Sequence, residues 1–137
     1  MSNWIFVQTE HNWNVDFKNN FEFLGVKESK FYQKNISYGD IIFTYISKIK
    51  KFSDIRKVID NKLHITPKSY NYDKEFKKSM NTVLVKLLEK NEWIDFYNIS
   101  KELTVFVNTT SPANKLLNAP ILLNMDDFKI LKNHFKI

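Results

Sequence analysis

Asn3-Trp4-Ile5-Phe6-Val7-Gln8 opens the decisive stretch, and it runs straight into Thr9-Glu10-His11-Asn12-Trp13. The first part is apolar and rich in β-formers, so it reads as a strand over 4–8. The second turns polar, with Thr9 or Glu10 placed to cap a short helix over 11–18. Phe23-Leu24-Gly25-Val26-Lys27 follows, then a second short helix over about 28–34 with Phe31 and Tyr32 expected to face inward. Ser37-Tyr38-Gly39-Asp40 signals a turn. Behind it, Ile41-Ile42-Phe43-Thr44-Tyr45-Ile46 predicts a strand over 41–47, nearly all apolar, as a central strand should be.

Beyond this stretch the elements shorten. In segment 52–59, Phe52, Ile55 and Val58 are expected to pack while Asp54, Arg56 and Lys57 face out. A strand over 62–66 is expected to pair with it. Residues 67–80, from Pro67 to Met80, read as a polar loop carrying Tyr70, Tyr72 and Phe76. A strand over 82–88, a helical turn over 94–100 and a strand over 103–107 follow. The last helix has Asn124 as N-cap, Asp127 at N3 near the positive end of the helix dipole, and Phe128, Leu131 and Phe135 on one face. Short helices around many short strands argue for an α+β fold with the sheet curled into an open barrel.

The chain has 137 residues, enough for one domain with a real core, and we read 1–137 as that domain. There is no cysteine, which excludes disulfides, thiolate metal sites and cysteine catalysis. No signal-peptide pattern and no long apolar run is seen, so a cytoplasmic, intracellular protein with no membrane contact is the default expectation. The net charge is +6. It is unevenly placed: residues 27–90 carry fifteen Lys and Arg against seven Asp and Glu. A basic middle suits an anionic partner, because each Lys–phosphate contact releases counterions. The Lys-, Asn- and Ile-rich composition gives a compositional explanation equal weight.

The order of these motifs resembles the EVE domain, a relative of the YTH and PUA-like folds. The resemblance rests on Glu10-His11-Asn12-Trp13 after the first strand, Gly25-Val26-Lys27, Gly39-Asp40 before a strand containing Tyr45, Tyr72-Asp73, and Asp126-Asp127-Phe128 at the last helix. Two departures stand out. Leu24 replaces the family's Trp, and Ser111-Pro112 with Leu116-Leu117 stand where a glycine and aromatic residues are usual. The resemblance implies a nucleic-acid reader that holds a base, often a modified one, in an aromatic-lined pocket, with no cofactor and no chemistry of its own. DNA and RNA remain equal as partners.

A base held out of its stack needs an aromatic wall and a few edge donors and acceptors; stacking contributes roughly 1–3 kcal/mol per base. The candidate pocket residues are Thr9, Glu10, His11 and Asn12 at the first strand's exit, Gly25, Val26 and Lys27 at the turn, Tyr45 and Ser47 at the central strand's end, and Tyr72 and Phe76 in the loop. Tyr45 reads equally well as a core residue, and Asn12 as a helix cap or solvated face. Trp4 and Trp13 read as core. The phosphate candidates are Lys48, Lys50 and Lys51, and Lys68, Lys74, Lys77 and Lys78, the last four interleaved with aromatics. A solvated loop would carry the same lysines. His11, His64 and His134 lie far apart and show no ligand spacing, and no glycine-rich phosphate loop or nucleophile elbow occurs. Two alternatives stay open: a small enzyme acting on a nucleotide-like ligand, and an interaction module without a working pocket.

Overall fold

The computed structural model describes residues 1–72, 76–107 and 111–137. Among these residues, seven strands form one open sheet: β1 (Asn3–Gln8), β2 (Phe23–Gly25), β3 (Ile41–Ile46), β4 (Lys51–Ile65), β5 (Lys78–Leu87), β6 (Ile94–Asp95) and β7 (Ile121–Leu123). Their order is β2-β5-β4-β3-β1-β7, with β6 pairing β4. Among the described residues, five α-helices decorate it: α1 (Glu10–Lys18), α2 (Glu28–Gln33), α3 (Phe96–Ile99), α4 (Pro112–Lys115) and α5 (Met125–His134). This is the expected α+β class with an open sheet.

The apolar β3 is central. It pairs in parallel with β1 and antiparallel with β4. Between β1 and β3 the chain travels through α1, β2 and α2, as a parallel pair requires. Side chains alternate across the sheet, so each face buries its own set. Ile5, Phe43 and Ile55 join the larger core with Trp13, Phe52, Phe96 and Phe135. Trp4, Phe6, Ile42 and Val58 join the smaller one with Leu24, Phe31 and Met80. At Thr44 and Tyr45 the register shifts by one extra residue, Ser53 on β4; Tyr45 keeps the face of Phe43, and Ile46 at the strand's end also joins the larger core.

Several expectations are corrected. Residues 52–59 and 62–66 belong to one continuous strand, β4. Residues 103–107 are not a strand; Thr104–Phe106 is a 3-10 turn. Tyr32 points to solvent at 61% exposure. Asp54 and Arg56, expected to face out, are fully buried. The reason lies in distant partners. Arg56 Nε donates to Asp54 Oδ1 at 2.8 Å, Nη1 to Asp16 Oδ2, and Nη2 to Gln8 Oε1 at 2.9 Å. Asp54 also accepts from Trp13 Nε1, Thr44 Oγ1 and Ser53 Oγ. The guanidinium lies 4.8 Å from the centre of the Phe21 ring. A buried charge survives only when paired and hydrogen-bonded, and here each of the three guanidinium nitrogens has an acceptor.

The final helix matches its sequence signals. The Asn124 side chain accepts from the Asp127 amide at 2.8 Å. Asp127 does more than sit near the dipole: its carboxylate accepts from the amides of Thr104 and Val105 and from the Thr104 hydroxyl, anchoring the 3-10 turn to α5. Leu131 and Phe135 are fully buried, while Phe128 is only partly so.

Candidate nucleic-acid interface

The end of β1, the end of β2 and the end of β3 meet, and a cavity of about 130 Å³ opens between them. It is lined by Val7, Gln8, Thr9, Asn12, Gly25, Ser47, Tyr72 and Phe76. Parallel pairing of β1 with β3 sets this up. Gln8 lies opposite Ile46, and the Ser47 amide donates to the Gln8 carbonyl at 2.8 Å. The two strand ends are thus fixed side by side. The Thr9 Oγ accepts from the Asn12 amide at 3.2 Å, capping α1 and setting Asn12 one turn beyond the strand.

Asn12 is 2% exposed, and its Oδ1 has no hydrogen-bond partner among the described residues. A buried acceptor left unpaired costs roughly 1–3 kcal/mol. At a cavity wall, that cost is relieved by a ligand N–H. Two aromatic rings complete the wall. Gly25 admits them: a Cβ there would meet Phe76 Cβ and Tyr72 Cε2 at 3.0 Å each. The absent side chain therefore makes room for the protein's own rings.

Beneath the cavity lies the buried Arg56 cluster. Gln8, a wall residue, donates from Nε2 to Asp16 Oδ2 at 2.8 Å. The Tyr72 hydroxyl donates to Asp16 Oδ1 and reaches the Phe23 carbonyl at 3.1 Å. Burial pushes the Asp16 carboxyl up, and the attraction of Arg56 only partly offsets it. Burial and the adjacent Asp16 likewise hold the Tyr72 phenol protonated. Arg56 is held charged: burial opposes its charge, but Asp54 and Asp16 outweigh that. The cavity floor is thus rigid, with the side-chain orientation of Gln8 and Tyr72 set from below.

Six of the eleven expected pocket residues line this cavity: Thr9, Asn12, Gly25, Ser47, Tyr72 and Phe76. Val26 and Lys27 line an adjoining groove instead. Glu10 and His11 are exposed, with His11 Nε2 at 3.3 Å from the Asn71 carbonyl. Tyr45 is the main correction. It is 4% exposed and packs edge-on to Phe52 and Phe96, and burial, with Tyr97 and Asp95, pushes its phenol up to about 12. Two residues after Phe43 on the same strand, its ring falls on the same face, which is the larger core. Val7 and Gln8 were missed; as strand residues they carried only a core signal. Leu24 is fully buried in the smaller core and fills neither cavity.

Of the candidate phosphate lysines, Lys48, Lys50, Lys68 and Lys77 are exposed, Lys51 and Lys78 are half-buried, and Lys74 lies outside the described residues. Lys50 Nζ donates to the Tyr97 hydroxyl at 3.3 Å. Among the described residues, no three His, Asp or Glu side chains gather into a metal-holding group, and no helix is long and apolar enough to cross a membrane.

No protein-family model matches the chain, and no curated protein matches it. Solved structures do. The Pho92 YTH domain in complex with m6A superimposes with a TM-score of 0.67 at 10% identity, over 99% of this chain and 84% of that one. The YTH domain of Zygosaccharomyces rouxii MRB1, in complex with N6-methyladenosine RNA, gives 0.60 at 10% identity, over 98% and 88%. Rpa0253 from Rhodopseudomonas palustris gives 0.63 at 13% identity, over 99% and 94%. The chain has the YTH-type fold. Within it, the candidate cavity sits where β1 and β3 end side by side.

Proposed function

We propose that this protein is a nucleic-acid reader of the EVE kind, which holds one modified base in the Asn12 cavity and acts by recognition alone. The observation that carries this reading is Asn12 Oδ1, without a partner among the described residues and buried in the wall of a small cavity that the Tyr72 and Phe76 rings also line. An acceptor with nothing to accept asks for an N–H on a ring edge, and the aromatic walls suit the ring itself. Supporting it, YTH domains of the same fold have been solved with m6A and with N6-methyladenosine RNA. The basic excess of the chain fits an anionic strand.

The test is a titration with short single-stranded RNA and DNA, each with and without N6-methyladenine, 5-methylcytosine or 5-hydroxymethylcytosine. One modified oligonucleotide should bind best. Asn12→Ala should reduce that preference by about 1–3 kcal/mol, roughly 5- to 150-fold. Equal binding of every oligonucleotide by the wild type would sink the reading.

Salt dependence checks the lysine track independently. If the exposed lysines of 48–51 and 68–78 contact phosphates, log affinity should fall with log salt by about 0.7 for each phosphate engaged on a single strand. Charge reversal at Lys50 and Lys51 should weaken all sequences about equally. A flat salt profile removes the track.

A further inference from the structure

A second, larger groove of about 300 Å³ adjoins the base cavity. Val7, Gly25 and Phe76 line both, so the two are separated by the thickness of one wall. Its floor is apolar, made by Phe6, Val26, Leu116 and Pro120. Leu117 stands on its rim at 82% exposure, a large apolar side chain left in water. Lys27 and Lys30 complete the rim. Among the described residues, no Asp or Glu lines either cavity. Among the described residues, neither Lys27 nor Lys30 enters an ion pair.

The sequence order explains this placement. Lys27 is the N-cap residue of α2, and Lys30 follows one turn later, so the two ammonium groups come from neighbouring positions on one helix face. The Leu116-Leu117 pair arrives from the far end of the chain, through the segment between α4 and β7. An apolar shelf beside two lysines that enter no ion pair among the described residues is a chemistry for a flat ring joined to an anion. The base cavity next door takes another ring. One molecule carries ring, anion and ring in sequence.

We propose that this groove holds the nucleotide adjoining the read base in the same single strand, its ring on the Phe6–Val26–Leu117 shelf and the linking phosphate at Lys27 and Lys30. The proposal rests on the base-reading function above and goes beyond it, since it makes a dinucleotide the smallest full ligand. It also gives Leu116-Leu117 a role: the residues that depart from the resembled family form the shelf for the neighbouring ring.

The test compares the best-binding modified base as a free nucleoside and within a dinucleotide and a short oligonucleotide. The protein variants are Lys27→Glu/Lys30→Glu, Leu117→Glu, and a charge-matched control, Lys101→Glu/Lys129→Glu, at exposed lysines that line neither cavity. The groove variants should weaken dinucleotide and oligonucleotide binding roughly tenfold or more, beyond the loss in the control, because a local phosphate contact and a ring shelf are removed rather than general charge. Their nucleoside affinity should stay at the wild-type value. Leu117→Glu keeps the test alive should the double lysine variant disturb α2, since Leu117 is exposed. If the groove variants lose no more than the control, or lose nucleoside affinity equally, the inference is overturned while base reading stands. If the wild type shows no base-dependent binding in any form, both fall together.

Discussion

Arg56→Met should cost the folded state about 3–5 kcal/mol, because it strands two buried carboxylates. With total stability of ordinary domains near 5–15 kcal/mol, that is much of the whole. Asp16 and Asp54 are both fully buried, and the guanidinium bonds to each. Met fills similar space but returns no charge. The effect should depend on pH in a set direction. Asp16 already lies above the ordinary carboxylate range through burial, against the pull of Arg56. Removing Arg56 raises it further. A raised folded value means stability is fully present below the unfolded value of about 3.9 and is lost as pH rises through the folded one. The gap between variant and wild type should therefore be full at neutral pH and shrink in mild acid. Urea melts at both pH values measure it; a gap that widens in acid would contradict the arrangement.

Phe135→Ala should cost about 3–5 kcal/mol as well, by opening a cavity in the larger core. The ring is fully buried, and its centre lies 5.6 Å from that of Phe43 on the central strand. Phe128 also meets Phe43, at 5.9 Å, but it keeps part of its surface in water and Lys132 lies over it. Phe128→Ala should thus cost clearly less. Equal losses for the two, measured by chemical denaturation, would show that helical spacing alone sets their burial.

That pair shows where sequence periodicity reaches and where it stops. Spacing placed Phe128, Leu131 and Phe135 on one face of α5, but only packing decides how deep each one goes. The strands were legible because β1 and β3 are long apolar runs, and the cavity was legible because it lies where those runs end. Thr9, Asn12 and Ser47 follow directly from that. Gly25 and Tyr72 came from motif order and Phe76 from the aromatics of its loop, and what Gly25 does there, making room for the protein's own rings, shows only in the packing. The Arg56 cluster was illegible. A charged residue in an alternating strand reads as solvent-facing, and its partners Asp16 and Gln8 lie 40 and 48 residues away. Tyr45 failed for a different reason: it shares the strand face of Phe43, and a tyrosine at a strand's end reads as core or as pocket wall alike until its packing is seen.

The three tryptophans are all buried, with Trp4 Nε1 on Asp40, Trp13 Nε1 on Asp54 and Trp93 Nε1 on the Leu88 carbonyl. None lines the candidate cavity or its neighbouring groove. Their emission will therefore follow unfolding closely and carry little signal from occupancy. Quenching titrations, the habitual assay for a base-stacking protein, are the wrong instrument for this one. A silent indole signal on adding oligonucleotide is its expected behaviour, and affinity has to be read by calorimetry or from a dye on the nucleic acid.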